Sequence, residues 1–326
     1  MKLPRRLLAT VLSAVALGAA QAAPFEFIAI GDMPYGAREQ AYPAYAQLIK
    51  QINAVQPSFT IHVGDFKSGG SPCSDEEFGN QLNFFNSFAG ALVYTPGDNE
   101  WTDCHRPKAG GYDPLERLAK LREMFFATPR TLGAKPLAVE RQSELQPAYA
   151  LYRENLRFER EGVLFVTLHV IGSNNNFEAR DIKAVQEFFA RDEANRAWVR
   201  AAFDRARAIN ARAVVLAMQA DPLESRSAWT DWPTHSGFSS LFEGTLLPAA
   251  QAWGKPVLLV HGDSHRFTID RPFKAVDGPD KGQVLRNLLR LQVFGEQEIH
   301  AVRVSVDPEA DDPFGFKPLF NPLSPR

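Results

Sequence analysis

Residues 59–70 read FTIHVGDFKSGG: five residues of strand character, then a Gly-Asp pair that opens a polar, Gly-rich loop. The same grammar returns on either side. Upstream, residues 25–36 read FEFIAIGDMPYG, and downstream, residues 91–101 read ALVYTPGDNEW. Farther along, AVVLAM at 213–218 runs into Gln219-Ala220-Asp221-Pro222, and PVLLV at 256–260 runs into HGDSH at 261–265. Apolar strands therefore end, one after another, in Asp32, Asp65, Asp98, Gln219, and Asp263 with His265. An isolated Gly-Asp is an ordinary turn. Repetition at strand ends is a stronger signal, because ligands of open α/β sheets collect at the carboxyl ends of strands. Several carboxylates brought there repel one another strongly unless a cation sits between them.

Helical patterns fill the intervals. Apolar residues recur at helical spacing over 42–55, and 76–88 can form a helix. Residues 114–126 are a third helix, with Asp113 as N-cap and Pro114 at the first helical position. The charged stretch 181–209 reads as two helices, and 241–253 as one closed by Gly254. Residues 149–158 and 163–171 are strand-like, the second ending in GSNNN. Two late strands, 288–294 and 299–306, have no helix between them, and the Pro-rich tail from about residue 307 is expected to wrap the surface. The alternation predicts an α/β fold with a partly antiparallel sheet. With no internal repeat and no linker, residues 23–326 form a single domain.

The N-terminus lies outside that fold. Lys2, Arg5 and Arg6 precede an uncharged, mostly apolar run over 7–19, and Ala20-Gln21-Ala22 is a small-x-small cleavage site. Residues 1–22 thus read as a secretory signal peptide, too short to span a membrane. Cleavage removes three positive charges and takes the formal charge from −2 to −5. A periplasmic or secreted, membrane-free mature protein is expected. With 45% apolar and 23% charged residues the chain is an ordinary globular one rather than a disordered one. Its near-neutral balance offers no field for nucleic acid. In an oxidising compartment the two cysteines, Cys73 and Cys104, are expected to pair.

The series of strand-end motifs resembles the calcineurin-like metallophosphoesterases, which include the purple acid phosphatases. Their motifs run Asp-x-His, Gly-Asp-x-x-Asp, Gly-Asn-His-Glu/Asp, a lone His, and Gly-His-x-His. The counterparts here are GDMP at 31–34, GDFKS at 64–68, GDNE at 97–100, Gln219, and GDSH at 262–265. The resemblance implies two mostly mixed sheets packed as a sandwich between helices, a four-layer αββα fold. It also implies a two-metal hydrolase of phosphate esters, in which a metal-held hydroxide attacks phosphorus.

Carried over position by position, Asp32, Asp65, Asp98, Gln219, Asp263 and His265 become the metal ligands, with Asp65 bridging. Two divalent cations are implied, and the oxygen-rich set suits Mg²⁺, Mn²⁺ or Ca²⁺ better than Zn²⁺. The departures are Pro34, Asn99, Gln219 and Asp263 where the family has His, Ser68 where it has Asp, and Asp98 where it has Asn. Asn99 occupies the position of the family His that helps stabilise or protonate the leaving group, so the resemblance implies that an acid comes from elsewhere: His105 first, then His235. Lys67 is a candidate contact to a phosphate oxygen. His62, His169 and His300 read as structural, and His261 as structural with an outside claim to be a ligand. Three functions are consistent with this pattern: a metal-dependent phosphoesterase acting on a small phosphate ester, an inactive protein binding a metal or phosphate ligand on the same scaffold, and a structural Ca²⁺ site.

Overall fold

The computed structural model describes residues 22–223 and 236–324. Most of the expected signal sequence and His235 lie outside the described residues.

Two sheets pack face to face. In the first, β1 (Phe25–Ile30), β2 (Thr60–His62) and β3 (Leu92–Tyr94) run parallel. The second contains β4 (Glu140–Arg141), β5 (Leu156–Arg160), β6 (Val163–Thr167), β7 (Ala213–Ala217), β8 (Val257–His261), β9 (Thr268–Asp270) and β10 (Leu288–Gln292), in the order β4-β5-β6-β7-β8-β10-β9. Strands β6, β7, β8 and β10 are mutually parallel, and β4, β5 and β9 extend the sheet antiparallel at its edges. The chain returns to the first sheet with β11 (Ala301–Val306), antiparallel to β1, and β12 (Phe314–Leu319), antiparallel to β11.

Strand alternation sorts side chains between layers. On β1, Phe27 and Ala29 face the second sheet, while Ile28 and Ile30 face the helices outside. The inter-sheet core is aromatic at its centre: Phe27 stacks on Phe59 at 5.4 Å, and Phe59 meets Phe165 edge-on at 4.9 Å. Helix α1 (Arg38–Val55) covers the first sheet through Ala41, Tyr45, Leu48 and Ile52, one stripe of its surface. It is joined there by α2 (Asp75–Asn86) and α3 (Pro114–Phe125). The Asp113 side chain caps α3 by accepting from the N–H groups of Leu115 and Glu116, as expected. The long helix Ile182–Ala208 and the helix Leu247–Trp253 cover the second sheet through Trp198, Phe203 and Trp253. The architecture is the four-layer αββα sandwich.

Some local expectations are corrected. Residues 181–209 form one helix, Ile182–Ala208, since neither Gly nor Pro interrupts it. In the stretch 149–158 the strand starts only at Leu156, because Pro147–Tyr149 forms a helical turn. The Pro-rich tail supplies β12, and Pro318 is tolerated there because β12 is an edge strand.

Candidate metal centre

Parallel pairing places the carboxyl ends of β1, β2 and β3 on one rim, and those of β7 and β8 on the facing rim. The loops meet across the gap. Gln219 Nε2, after β7, donates to Asp65 Oδ2 at 3.1 Å, after β2. The Asp263 N–H, after β8, donates to Asp32 Oδ2 at 3.0 Å, after β1. Asp32, Asp65, Asp263 and His265 all adopt left-handed backbone, with φ of 51°, 56°, 77° and 56°. Each such residue costs about 1–3 kcal/mol, and Asp tolerates the region better than most. Neighbouring glycines make room. A Cβ on Gly97 would lie 2.0 Å from Asp65 Oδ1, and one on Gly262 would lie 2.1 Å from Asp32 Oδ2.

The predicted residues are brought together unequally. Asp32 is fully buried, and its Oδ1 has no hydrogen-bond partner. Asp65 has four donors. Its Oδ1 accepts from the Asn99 N–H (3.0 Å), and its Oδ2 from the Tyr35 hydroxyl (2.8 Å), Asn99 Nδ2 (2.7 Å) and Gln219 Nε2. Asp98 Oδ2 accepts the Ser173 hydroxyl at 2.6 Å. Gln219 commits its carbonyl to the Gly172 N–H at 2.5 Å and faces Asp65 with its NH₂ group. Asp263 Oδ2 accepts the Asp221 N–H at 3.1 Å, and the His265 ring meets Tyr35 edge-on at 5.3 Å. Asp65, Asp98, Asn99, Asp263 and His265 line one cleft of about 660 Å³, and Tyr35, Asp103, Arg106 and Lys108 also line it.

Electrostatics follow from this crowding. Burial pushes the Asp32 carboxyl well above the usual range, and Asp263 and Asp98 push it further. Burial does the same to Asp65, reinforced by Asp98 and Glu100. Glu100 is itself raised by burial, although its Oε1 accepts from the N–H groups of Asp65 and Gly97 and from the Tyr94 hydroxyl. Glu100 therefore stitches the loops after β2 and β3 together.

The proposed acid and phosphate contact lie elsewhere. His105 is exposed, its Nδ1 sits 2.6 Å from the Thr102 carbonyl, and it does not line the cleft. Lys67 is buried and donates to the Ser68 carbonyl at 3.0 Å; burial lowers its pKa against the pull of Glu100 and Asp65. The disulfide Cys73–Cys104 is formed, with a Cα separation of 5.7 Å. It lies beneath the Asn99 turn rather than over the rim: both cysteines are fully buried, their sulfurs 3.6 and 3.7 Å from the Asn99 carbonyl oxygen. His169 is a buried partner of Glu154. Burial holds His62 down at about 3 and His261 at about 4, so both are neutral. Tyr35 and Ser173 went unread in the sequence. Tyr35 follows GDMP directly, and Ser173 belongs to the GSNNN turn, where residues 173–176 are all left-handed.

The donor chemistry fits a hard cation at Asp32, where a buried carboxylate oxygen has no partner. It does not fit one equally at Asp65, whose Oδ2 already accepts from three donors. Among the described residues no three His, Cys, Asp or Glu side chains form a ready-made cation cage.

The model of the calcineurin-like phosphoesterase family matches residues 25–267, and the chain belongs to that family. No curated protein sequence matches it. Among solved structures it is similar in fold to PhoD, with 12% identity and a TM-score of 0.51 over 89% of this chain and 65% of that one. The chain thus spans less than two thirds of PhoD. It is also similar to GAP50, the anchor in the inner membrane complex of Plasmodium, with 11% identity and a TM-score of 0.46 over 91% of this chain and 89% of that one. For the 5'-nucleotidase of Candida albicans the values are 11% and 0.43, over 92% and 52%.

Proposed function

We propose that this member of the calcineurin-like phosphoesterase family is an exported, metal-dependent hydrolase of small phosphate esters, working in the periplasm or outside the cell. The observation that carries the reading is the unpartnered, buried Asp32 carboxylate oxygen, set among Asp65, Asp98 and Asp263 beside an open cleft. Export is supported by the N-terminal pattern and by the buried disulfide, which suits an oxidising compartment.

Asp32, with Asp263 and His265 beside it, would hold the cation. When bound, a divalent cation supplies Lewis-acid stabilisation of charge on a phosphoryl oxygen and lowers the pKa of water. The chain's own residues do the rest. Arg106 and Lys108 give the cleft a cationic edge for a phosphate group. Arg106 pairs with Asp103 at 2.6 Å, and a guanidinium has five donors, so the pair leaves others for substrate. Tyr35 and Asn99 hold Asp65 in place at the floor of the cleft.

The three donors on Asp65 Oδ2 favour one second reading, a protein that binds a phosphate ligand on the same scaffold without turnover. A chromogenic phosphomonoester and phosphodiester, assayed with Mg²⁺, Mn²⁺, Ca²⁺ and Zn²⁺, separate the two. Turnover that chelation abolishes is expected. Absence of turnover with every cation, alongside binding of inorganic phosphate, would establish the second reading instead.

A further inference from the structure

The carboxylates at the strand ends fall into two halves with opposite hydrogen-bonding states. Asp32 has a free, buried oxygen; Asp65 has four donors on its two oxygens. Each oxygen of an ionised carboxylate offers about two lone-pair positions, so Oδ2, with three donors, is full and Oδ1, with one, keeps a single position, too few for Asp65 to bridge two cations. We propose that this site takes a single divalent cation, at Asp32, and that neutral donors from Tyr35, Asn99 and Gln219 occupy the place of the family's second cation at Asp65. The inference rests on the metal-dependent reading above and narrows it.

Gln219 fixes the argument. The Gly172 N–H can only donate, so the Gln219 carbonyl must face it, 2.5 Å away. The NH₂ group then has to face Asp65, where it donates at 3.1 Å. Turning the amide over would set its NH₂ against the Gly172 N–H and its carbonyl against the Asp65 carboxylate, two repulsive contacts in a buried place. Gln219 is therefore a donor to Asp65 and not an oxygen ligand beside it. Asn99 works in the same sense: its Nδ2 reaches both Asp65 Oδ2 and the Tyr35 hydroxyl oxygen (2.6 Å), and Tyr35 in turn donates to Asp65. The three side chains come from loops after β1, β3 and β7, so the closure of this half is built from separate parts of the chain. Two cations bridged by Asp65 would have to displace at least one of these donors. A single cation placed at Asp32 displaces none from Oδ1.

The test is Mn²⁺ stoichiometry on the full mature chain, by equilibrium dialysis with elemental analysis, together with the electron paramagnetic resonance spectrum of the bound ion. One equivalent with an uncoupled Mn²⁺ spectrum is expected. Asp32→Asn should weaken binding by more than about tenfold, and Asp65→Asn should leave it nearly unchanged. Two equivalents with a spin-coupled spectrum, lost together in Asp65→Asn, would overturn the inference and leave the metal-dependent reading standing. No bound Mn²⁺ would overturn both. One equivalent without turnover of any phosphate ester would keep the inference and sink the hydrolase. The wild-type stoichiometry and spectrum decide the matter even if a variant fails to fold.

Discussion

Asp65 and Glu154 are both buried carboxylates, and their surroundings are opposite in sign. Against the upward push of burial, Arg122 and His169 hold Glu154 well below the usual range. Arg122 Nη2 lies 2.5 Å and His169 Nδ1 2.8 Å from Glu154 Oε1. Around Asp65 and Asp32 burial is joined chiefly by other carboxylates, and both groups are driven up. The first cluster carries its own counter-charge and is complete. The second has Lys67 nearby but, among the described residues, no ion pair on Asp32 or Asp65, and it borders an open cleft. Carboxylates gathered with so little counter-charge are what the proposed cation site requires.

The comparison is tested hardest by removing the charge from Glu154. Glu154→Gln strands the largely buried Arg122 and should lower stability by about 3–5 kcal/mol in chemical denaturation. Because the folded pKa lies below the ordinary value of 4.5, this stabilisation is present above 4.5 and fades as pH falls towards the folded value. Bound Mn²⁺ should be unaffected. A loss too small to measure would mean that Glu154 is no more self-sufficient than Asp65.

The carboxylate cluster is braced covalently. The Cys73–Cys104 bridge backs the Asn99 turn and closes a loop of sequence separation 31. The double substitution Cys73→Ser/Cys104→Ser should cost about 3–4 kcal/mol in the chain-entropy account. It should also lower turnover more than Mn²⁺ occupancy, since the bridge positions Asn99 and supplies no ligand. Unchanged turnover after complete reduction would remove the bridge from the site's support.

Asp32→Asn should separate function from stability. Replacing a carboxylate by a neutral amide of the same shape relieves repulsion, so the melting temperature should hold or rise. Turnover should fall on the order of 100-fold, about 2.7 kcal/mol. A variant that loses stability in step with activity would place Asp32 in the same class as Glu154.

Much of this was legible in sequence because the decisive features are local. An apolar run followed by Gly-Asp announces a strand end, and Asp113-Pro114 announces a helix start. The five strand ends therefore read correctly, as did the double-sheet architecture through the family resemblance. Contacts between loops far apart in sequence were not legible. Tyr35 meets Asp65 from 30 positions away, and Ser173 meets Asp98 from 75. The amide of Gln219 can serve as donor or acceptor, and only the Gly172 N–H decides which. His105 stood next to the right motif, but the turn Thr102–His105 carries its ring to the surface. Strand β12 was hidden by Pro318, which argues against a strand everywhere except at an edge.

Asp103 lies between the two regimes and offers the finest test. It lines the cleft; burial and Asp98 push its carboxyl up to about 7, while Arg106, paired at 2.6 Å, pulls it down. Its ordinary value is 3.8. Between roughly 3.8 and 7 the unfolded chain has released this proton and the folded chain still holds it, so stability from Asp103 falls as pH rises. Below that window both states are protonated, and above it both are ionised. Asp103→Asn removes the titration, so the variant should gain on the wild type from pH 4 to pH 7 and keep a constant difference beyond. The gain should be on the order of 1–2 kcal/mol, less than the full shift implies, because the half-exposed Arg106 can follow the charge as it forms. Denaturation curves at several pH values measure it. Parallel curves would mean that Arg106 fully compensates Asp103, as Arg122 compensates Glu154. A difference of the opposite sign would mean that the cleft stabilises the carboxylate, and the contrast between the two clusters would then stop short of its rim.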